Sequence, residues 1–228
     1  SNCMERLSMI DRYEIERKLA RVLSKDLRVE LDKLLNYLGD PPNLANVPPE
    51  YWQGGWKDIQ KDVEPILVDT YIEAAMDLAD GIGIGIDWGL MNNTAANWAR
   101  TNLSDLLQKM FQTTYDGVNE TVPRFFTENW TIEDLTRHLE RWHSPRRAEL
   151  IATTETTRAV VEGERAAVEQ MTKETGIELV PIWLTANDEM VCPVCGPRHK
   201  KPITDGVYPP LHPRCRCMTA YEPKKRDK

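Results

Sequence analysis

Apolar residues recur every three or four positions from Ile10 to Leu38, with lysine, arginine, aspartate and glutamate between them. Their repeat matches the turn of an α-helix that buries one face. The stripe consists of Ile15, Leu19, Val22, Leu23, Leu27, Leu31, Leu34, Leu35 and Leu38. The pattern predicts an amphipathic helix, with at most one break. Gly39-Asp40-Pro41-Pro42 ends it, because two prolines cannot continue a helix.

The helical period returns twice in the middle of the chain, after a Pro-rich, aromatic connector. It runs over residues 58–80 and again over 90–115, where we expect one long helix. Between them, Gly81-Ile-Gly-Ile-Gly85 follows a helical pattern rather than a strand, and its spacing is not that of a dinucleotide loop. We therefore interpret these glycines as a flexible joint, or a close approach, between two helices.

Capping residues predict two more helices further along the chain. Thr131 and Asp134 have the spacing of a capping box at the start of a helix. Ser144-Pro145 begins a second, longer helix, which we expect to end at Gly176 as a left-handed cap. The short, branched and apolar run over residues 177–184 then predicts a strand.

The composition fits a folded, mainly α-helical chain with a small α+β module at its C-terminal end. Of 228 residues, 41% are apolar, which is enough for a core in one large or two small domains. No stretch approaches the roughly 20 uncharged apolar residues of a membrane span, and no secretory signal is evident. We therefore expect a protein that is intracellular when made and has no membrane partner.

Four of the five cysteines lie within 26 residues, at the spacing of metal ligands. Cys192 and Cys195 form a C-x2-C half-site, and sixteen residues later His212 and Cys215 form an H-x2-C half-site. Tetrahedral Zn2+ prefers such thiolate and imidazole ligands, so we expect a structural zinc site with these four. Cys217 replaces His212 if the second turn unwinds differently. The alternative without metal is buried free cysteines, and clustered thiols fit a reducing compartment.

The helix predicted after Ser144 carries a glutamate on its packed face. Small residues mark that face: Ala148, Ala152, Ala159, Gly163 and Ala166. Glu155 falls among them, where a carboxylate is costly to bury unless it is paired or hydrogen-bonded. We expect a cationic partner or nearby hydroxyls to stabilise it, the latter from Thr153, Thr154, Thr156 and Thr157. The functional alternative is a general acid or base with a raised pKa.

Charge is distributed unevenly along the chain. Residues 196–228 hold nine lysines and arginines against three acids, a net charge of +6. The whole chain carries −7, which leaves −13 for residues 1–195. A basic end predicts contact with nucleic acid or an acidic protein surface. The candidate contacts are Arg198, Lys200, Lys201, Arg214 and Arg216, whereas the run from Lys224 to Lys228 is interpreted as a solvated tail.

Two classes of zinc enzyme do not fit the motifs. A nucleobase deaminase has the order P-C-x-x-C, whereas this chain has C-P-x-C. A zinc-stapled nuclease needs a catalytic histidine outside the zinc site with acidic or asparagine partners. The loop over residues 196–211 offers only His199 and Asp205 for that role. We interpret His199 as a surface residue of this loop, and His138 and His143 carry no motif.

Three segments together resemble the phage Mu F-like minor head protein family, over about the last half of the chain. They are Arg147-Ala-Glu-Leu-Ile-Ala-Thr-Thr-Glu-Thr-Thr-Arg-Ala159, Trp183-Leu-Thr-Ala-Asn-Asp-Glu-Met-Val-Cys-Pro-Val-Cys195 and Pro209-Pro-Leu-His-Pro-Arg-Cys-Arg-Cys217. The family's T-E pair matches Thr154-Glu155, its knuckle matches Cys192 and Cys195, and its ending matches His212, Cys215 and Cys217. The family often has arginine where this chain has Thr153, so no local arginine partner is expected for Glu155.

The resemblance implies a head morphogenesis protein of a tailed phage or prophage. Such a protein is a minor capsid component at the portal vertex and acts in head assembly or in DNA packaging and delivery. Its expected partners are the portal protein, scaffold or capsid protein, DNA and a second copy of itself. Its expected location is the host cytoplasm during assembly and then the interior of the virion head.

We expect three regions and no enzymatic activity. The regions are a helical N-terminal part (1–100), a head morphogenesis domain with the zinc knuckles (101–221) and a basic tail (222–228). Two alternatives remain open. One is an enzymatic or toxin-like module centred on Glu155, and the other is a DNA-binding module that uses the basic C-terminus.

Overall fold

The computed structural model describes residues 10–54, 56–83, 85–186 and 191–224. Its α-helices are α1 (Arg12–Leu38), α2 (Pro49–Gly54), α3 (Lys57–Ile82), α4 (Trp88–Thr127), α5 (Ile132–Glu140) and α6 (Pro145–Thr175). Its strands are β1 (Leu179–Leu184), β2 (Lys201–Pro202) and β3 (Met218–Pro223). The prediction of a mainly helical chain with a small α+β part near its C-terminal end is confirmed.

The helices follow the apolar periods, with one difference in length. The first helix, α1, is continuous over 27 residues, as the prediction of at most one break allows. The predicted helix over residues 90–115 is too short, because α4 continues for 40 residues through Gly117 and Pro123. Packing outweighs the low helix propensity of these two residues. A Cβ on Gly117 would lie 2.2 Å from the ring of Trp142, and the neighbouring Val118 and Val122 are buried.

Both predicted caps are present. The hydroxyl of Thr131 accepts a hydrogen bond from the backbone N–H of Asp134 (3.2 Å), and the Asp134 carboxylate accepts one from the N–H of Thr131 (3.1 Å). This reciprocal pair is the capping box expected at the start of α5. Ser144 Oγ accepts from the N–H of Arg147 (3.3 Å) at the start of α6, and Gly176 ends that helix with φ +70°. The local signals therefore set both helices.

The three strands form one antiparallel sheet in the order β2-β1-β3. The central strand, β1, begins at Leu179, two residues after the predicted start. It pairs with β3 along its whole length, from Leu179 opposite Pro223 to Leu184 opposite Met218. Strand β2 adds only the pairs of Ile182 with Pro202 and Trp183 with Lys201. The sheet thus joins the chain before the first half-site to the chain after the second.

The chain divides into two compact units, each drawn from several segments. Unit one comprises residues 1–16, 66–99 and 150–228, and unit two comprises 17–65 and 100–149. The predicted boundary after residue 100 falls inside α4, and that after residue 221 falls inside β3. Along the described part of the chain, no helix combines the length and the apolar character needed to cross a membrane.

Unit two has an apolar core of buried side chains from α1, α2, α4 and α5. Its members are Leu31, Leu34, Leu38, Val47, Tyr51, Val118, Val122, Leu135 and Leu139. The guanidinium of Arg147 joins α4 to the start of α6, since it donates to Thr114 Oγ1 (2.9 Å) and to the carbonyls of Met110 (3.0 Å) and Trp142. Burial among these neutral acceptors lowers the pKa of Arg147 to about 10.

Unit one contains the helix faces that approach the sheet module. Tyr71, Ala75, Met91, Ala95 and Ala167 form one buried cluster in it. At Gly163 of α6 a Cβ would lie 2.1 Å from the carbonyl oxygen of Tyr71 in α3. The small-residue face of α6 predicted from the sequence is therefore a packed face, and α3 and α6 touch backbone to backbone there.

Candidate metal centre

The first half-site is a tight turn after β1. The backbone N–H of Cys195 donates to Cys192 Sγ (3.3 Å), and the N–H of Gly196 donates to the carbonyl of Cys192 (2.9 Å). A single turn of 3-10 helix, Gly196–Arg198, follows. In this geometry both thiols lie on the same side of the turn. Residues 187–190, which belong to the second resemblance segment, lie outside the described residues.

The second half-site is a turn that leads into β3. The N–H of Cys215 donates to the carbonyl of His212 (3.1 Å), so the two predicted ligands again face the same side. Arg214, inside this turn, has a φ of 63°. Cys217 is the last residue before β3, and both Cys215 and Cys217 are buried. The loop between the half-sites therefore brings three candidate ligands back to the first turn.

The five predicted ligands converge on one place. His212 Nε2 lies 3.1 Å from Cys192 Sγ and 3.3 Å from Cys195 Sγ, and Cys195 Sγ lies 3.9 Å from Cys215 Sγ. The ligand atoms form two groups, each within 4.8 Å: Cys192, Cys195 and His212, and Cys195, Cys215 and Cys217. Cys195 belongs to both groups. The cluster can bind a metal ion.

These spacings can be compared with those of a tetrahedral site. Two sulfurs that each lie 2.3 Å from a zinc ion are about 3.8 Å apart, and a sulfur and a nitrogen are about 3.6 Å apart. The separation between Cys195 and Cys215 agrees with the first value. The two sulfur–nitrogen distances to His212 are a few tenths of an ångström shorter than the second value. These three separations therefore lie within a few tenths of an ångström of those in a tetrahedral site.

The imidazole of His212 is oriented as a ligand. Its Nδ1 lies 2.8 Å from the backbone carbonyl oxygen of Pro213, which can only accept, so Nδ1 carries the proton. The lone pair of Nε2 then faces the two sulfurs of the first half-site. Metal-bound histidines almost always donate their second ring N–H to an oxygen in this way. The sequence-based choice of His212 as a ligand fits this arrangement.

The thiols share protons unequally. A hydrogen bond from Cys217 lowers the pKa of Cys215 to about 5, and a backbone hydrogen bond lowers the pKa of Cys192. Burial raises the pKa of Cys195 to about 12, and the hydrogen bond to Cys215 raises that of Cys217. Thiolate is the metal-binding form, so metal binding releases the remaining protons.

The cluster also forms the core of the sheet module. Trp183, Ile203, Cys195, Cys215 and Cys217 are a single buried group. A cavity of about 320 Å³ adjoins the ligands and is lined as well by Thr153, Arg214 and Arg216. It gives an ion a path to the thiols, and Trp183, which packs in the same buried group, is 1% exposed.

Glu155 lies where the sequence places it, and it has a local arginine partner. It is 4% exposed, and Arg158 Nε lies 3.3 Å from its Oε2. The cationic partner is thus Arg158, one turn further along α6.

A different carboxyl has a strongly shifted pKa: burial raises the pKa of Glu164 to about 7, while Thr219 donates a hydrogen bond to it and Arg12 lies near. No motif or spacing in the sequence singled out Glu164.

Three of the four threonines around Glu155 bind other groups. Thr157 Oγ1 donates to the carbonyl of Cys215 (2.8 Å), and Thr154 Oγ1 accepts from the N–H of Arg214 (3.0 Å). Thr153 Oγ1 donates to Glu16 Oε2 (3.0 Å). This role was not predicted, although a run of hydroxyls on a buried helix face was a signal for it.

The predicted nucleic-acid contacts are partly engaged within the chain. Arg198 pairs with Asp205 at 2.9 Å and lies over the Trp183 ring, and Arg216 pairs with Glu16 at 3.3 Å. Lys200 and Lys201 are exposed beside β2. Arg214 gives its backbone N–H to Thr154. Three residues of the basic tail, Lys225, Arg226 and Lys228, lie outside the described residues.

The remaining histidines lie outside the metal cluster. His199 Nδ1 accepts from the backbone N–H of Thr185 at 3.2 Å, which braces the chain after β1 against the loop before β2. His138 stacks on Trp130 with ring centroids 4.1 Å apart. His143 is buried in unit two.

A scan against family models, a search of curated proteins and a search of solved structures each found no match to the chain.

Proposed function

We propose that the protein is a minor head protein of a tailed phage or prophage, in which a structural zinc ion closes the C-terminal module. The observation that carries the proposal is the convergence of the two half-sites. The residues that resemble the family's knuckle and ending, Cys192 and Cys195 with His212, Cys215 and Cys217, meet at one cluster. The T-E segment of α6 adjoins the same cluster through its hydroxyls.

Zinc is the metal that suits this donor set. Thiolates and one imidazole are soft or borderline ligands, and the pairs follow the C-x2-C and H-x2-C spacing of structural zinc sites. When bound, the ion holds the two half-sites together and supplies folding energy. Residues of the module supply further stabilisation, since β1 and β3 pair along six residues and Trp183 packs on the thiols. Such a small module buries a thin core, for which a metal compensates.

A structural role also suits Glu155. An ion-paired, buried carboxylate at the centre of α6 stabilises packing when its partner is present, and it has no free path to a substrate. We therefore propose no enzymatic activity. Glu155→Gln is then expected to change stability or assembly, whereas an enzyme would stay folded and lose turnover.

The proposed partner is the portal protein of the same phage or prophage, and this assignment rests on the family resemblance. The test is co-expression of the zinc-loaded chain with that portal protein, followed by size-exclusion chromatography. We expect the two to elute together, and the chain to appear in few copies in purified particles by mass spectrometry. Cys195→Ser, which removes the thiol shared by both ligand groups, should lose zinc and the complex together.

Lys173→Ala serves as the matched control, because Lys173 forms only an exposed ion pair with Glu169 on α6. This variant should bind portal as the wild type does. If the folded, zinc-loaded chain neither binds the portal protein nor occurs in particles, the head-protein proposal is wrong. The metal assignment would survive that result, since it is measured separately.

A further inference from the structure

Two threonines of α6 hydrogen-bond to the backbone of one candidate metal ligand, Cys215, and of the residue before it, Arg214. Thr154 Oγ1 accepts from the N–H of Arg214, and Thr157 Oγ1 donates to the carbonyl of Cys215. They lie one turn apart on a helix face, so they reach two successive points of the facing turn. The position of Cys215 is therefore fixed from outside its own loop.

The turn around Cys215 needs such support. Arg214 has a φ of 63°, a left-handed conformation that is unfavourable for a non-glycine residue. The Cys215 carbonyl is bonded by a threonine that is itself fully buried. A buried carbonyl that loses its partner is destabilising. Both effects favour other conformations of the second half-site when the hydroxyls are removed.

We propose that Thr154 and Thr157 are positioning residues of the metal centre, which preset the second half-site for the ion. The inference rests on the proposed zinc site and goes beyond it, because it assigns a role to the T-T-E-T-T segment. Rigid elements hold a ligand set more precisely than loops do, and α6 is the rigid element here. Partners outside the ligand set typically change metal affinity by about 10–100-fold.

Thr157 and the neighbouring Thr153 link the metal centre to the start of α1. Arg12 Nη2 donates to Thr157 Oγ1 (2.8 Å), and Glu16 accepts from Thr153 Oγ1 (3.0 Å) and pairs with Arg216 (3.3 Å). Arg216 stands between Cys215 and Cys217 in the sequence. If these contacts couple zinc binding to the folding of the start of α1, the coupling acts in both directions. A bound ion should therefore stabilise the first turn of α1, and removal of the ion should loosen it.

The test compares zinc affinity, by chelator competition, in the wild type, Thr157→Val and Thr156→Val. Thr156 is equally buried on the same helix, and its hydroxyl has no hydrogen-bond partner within the part of the chain that the structure describes. We expect Thr157→Val to weaken zinc binding about tenfold and Thr156→Val to leave it unchanged. Thr157→Ser keeps the donor and should restore the wild-type affinity.

The outcomes separate this inference from the proposed function. A wild type that binds no zinc overturns the proposed metal centre itself. A wild type that binds zinc, with equal affinity in Thr157→Val and Thr156→Val, overturns only the role of the threonines. If Thr157→Val does not fold, the zinc affinity of Thr154→Val and the amide exchange of the wild type test the role of the threonines instead. Exchange over residues 12–16 that is the same with and without zinc would overturn the coupling to α1.

Discussion

His143 lies just after α5 with 4% of its surface exposed, and its Nδ1 donates to the carbonyl of Leu139 over 3.1 Å. Its Nε2 is buried and has no hydrogen-bond partner among the described residues. Burial lowers the pKa of His143 from 6.5 to about 4. A proton on this ring therefore opposes folding.

Replacement of His143 should remove part of the acid sensitivity of the fold. Between pH 6.5 and about 4 the unfolded chain binds more protons at this residue than the folded chain, so the stability present at neutral pH is lost as pH falls. The free energy of unfolding of the wild type should drop by about 3 kcal/mol relative to His143→Gln between pH 7 and 4. Urea unfolding at a series of pH values measures it.

His138→Gln is the control for this experiment, because His138 stacks on Trp130 and is only partly buried. Its pH dependence should follow that of the wild type. Identical pH dependence in the wild type and in His143→Gln would contradict this expectation. It would show that His143 has the same pKa in the folded and the unfolded chain.

At the scale of the elements, α3 and α6 approach so closely that only glycine fits at position 163. A Cβ at Gly163 would lie 2.1 Å from Tyr71 O, 3.0 Å from Tyr71 C and 3.1 Å from Ala74 Cβ. Two of these atoms are backbone, so no side-chain rotation relieves the clash. The absence of a Cβ at this position therefore sets the distance between the two helices.

Gly163→Ala should destabilise unit one by about 1–3 kcal/mol, the range for overpacked cores. The measurement is the free energy of unfolding in urea. Gly85→Ala is the matched control, because among the described residues no atom beyond its chain neighbours lies within 4 Å of an added Cβ, and its backbone is not left-handed. A Gly163→Ala protein as stable as the wild type would mean that the helices separate at little cost.

In the whole molecule, the metal centre joins segments that are distant in sequence. Unit one combines the start of α1 with α6 and the sheet, and the ligands stand where these segments meet. The stability of the C-terminal half of this unit should therefore depend on the ion more strongly than the stability of its helices does. Zinc that binds only the folded state raises its stability by mass action.

We expect one zinc ion per chain, and about 4 kcal/mol of added stability at a free zinc concentration 1,000 times the dissociation constant. Metal analysis and thermal unfolding with and without chelator measure this. Cys195→Ser should lose the ion, because Cys195 belongs to both ligand groups. Cys217→Ser should keep it if Cys192, Cys195, His212 and Cys215 are the ligands. Chelator-insensitive unfolding with all thiols reduced would contradict the assignment.

Much of the local structure could be predicted from the sequence. The apolar period of α1, the Thr131 capping box and the Ser144 and Gly176 caps are local signals, and each depends on a few neighbouring residues. The length of α4 could not be predicted in the same way. Gly117 favours a break by itself, and only the ring of Trp142 packed against it shows why the helix continues.

The sequence by itself determined the donor types and spacing of the metal centre and the helical class of the chain, because spacing along a turn or a helix is local geometry. The tertiary structure decided what surrounds those donors. It bonded Thr154 and Thr157 to the turn around Cys215. It also brought Arg12 and Glu16 to the same place. Such contacts join residues up to 200 positions apart, and packing alone selects them.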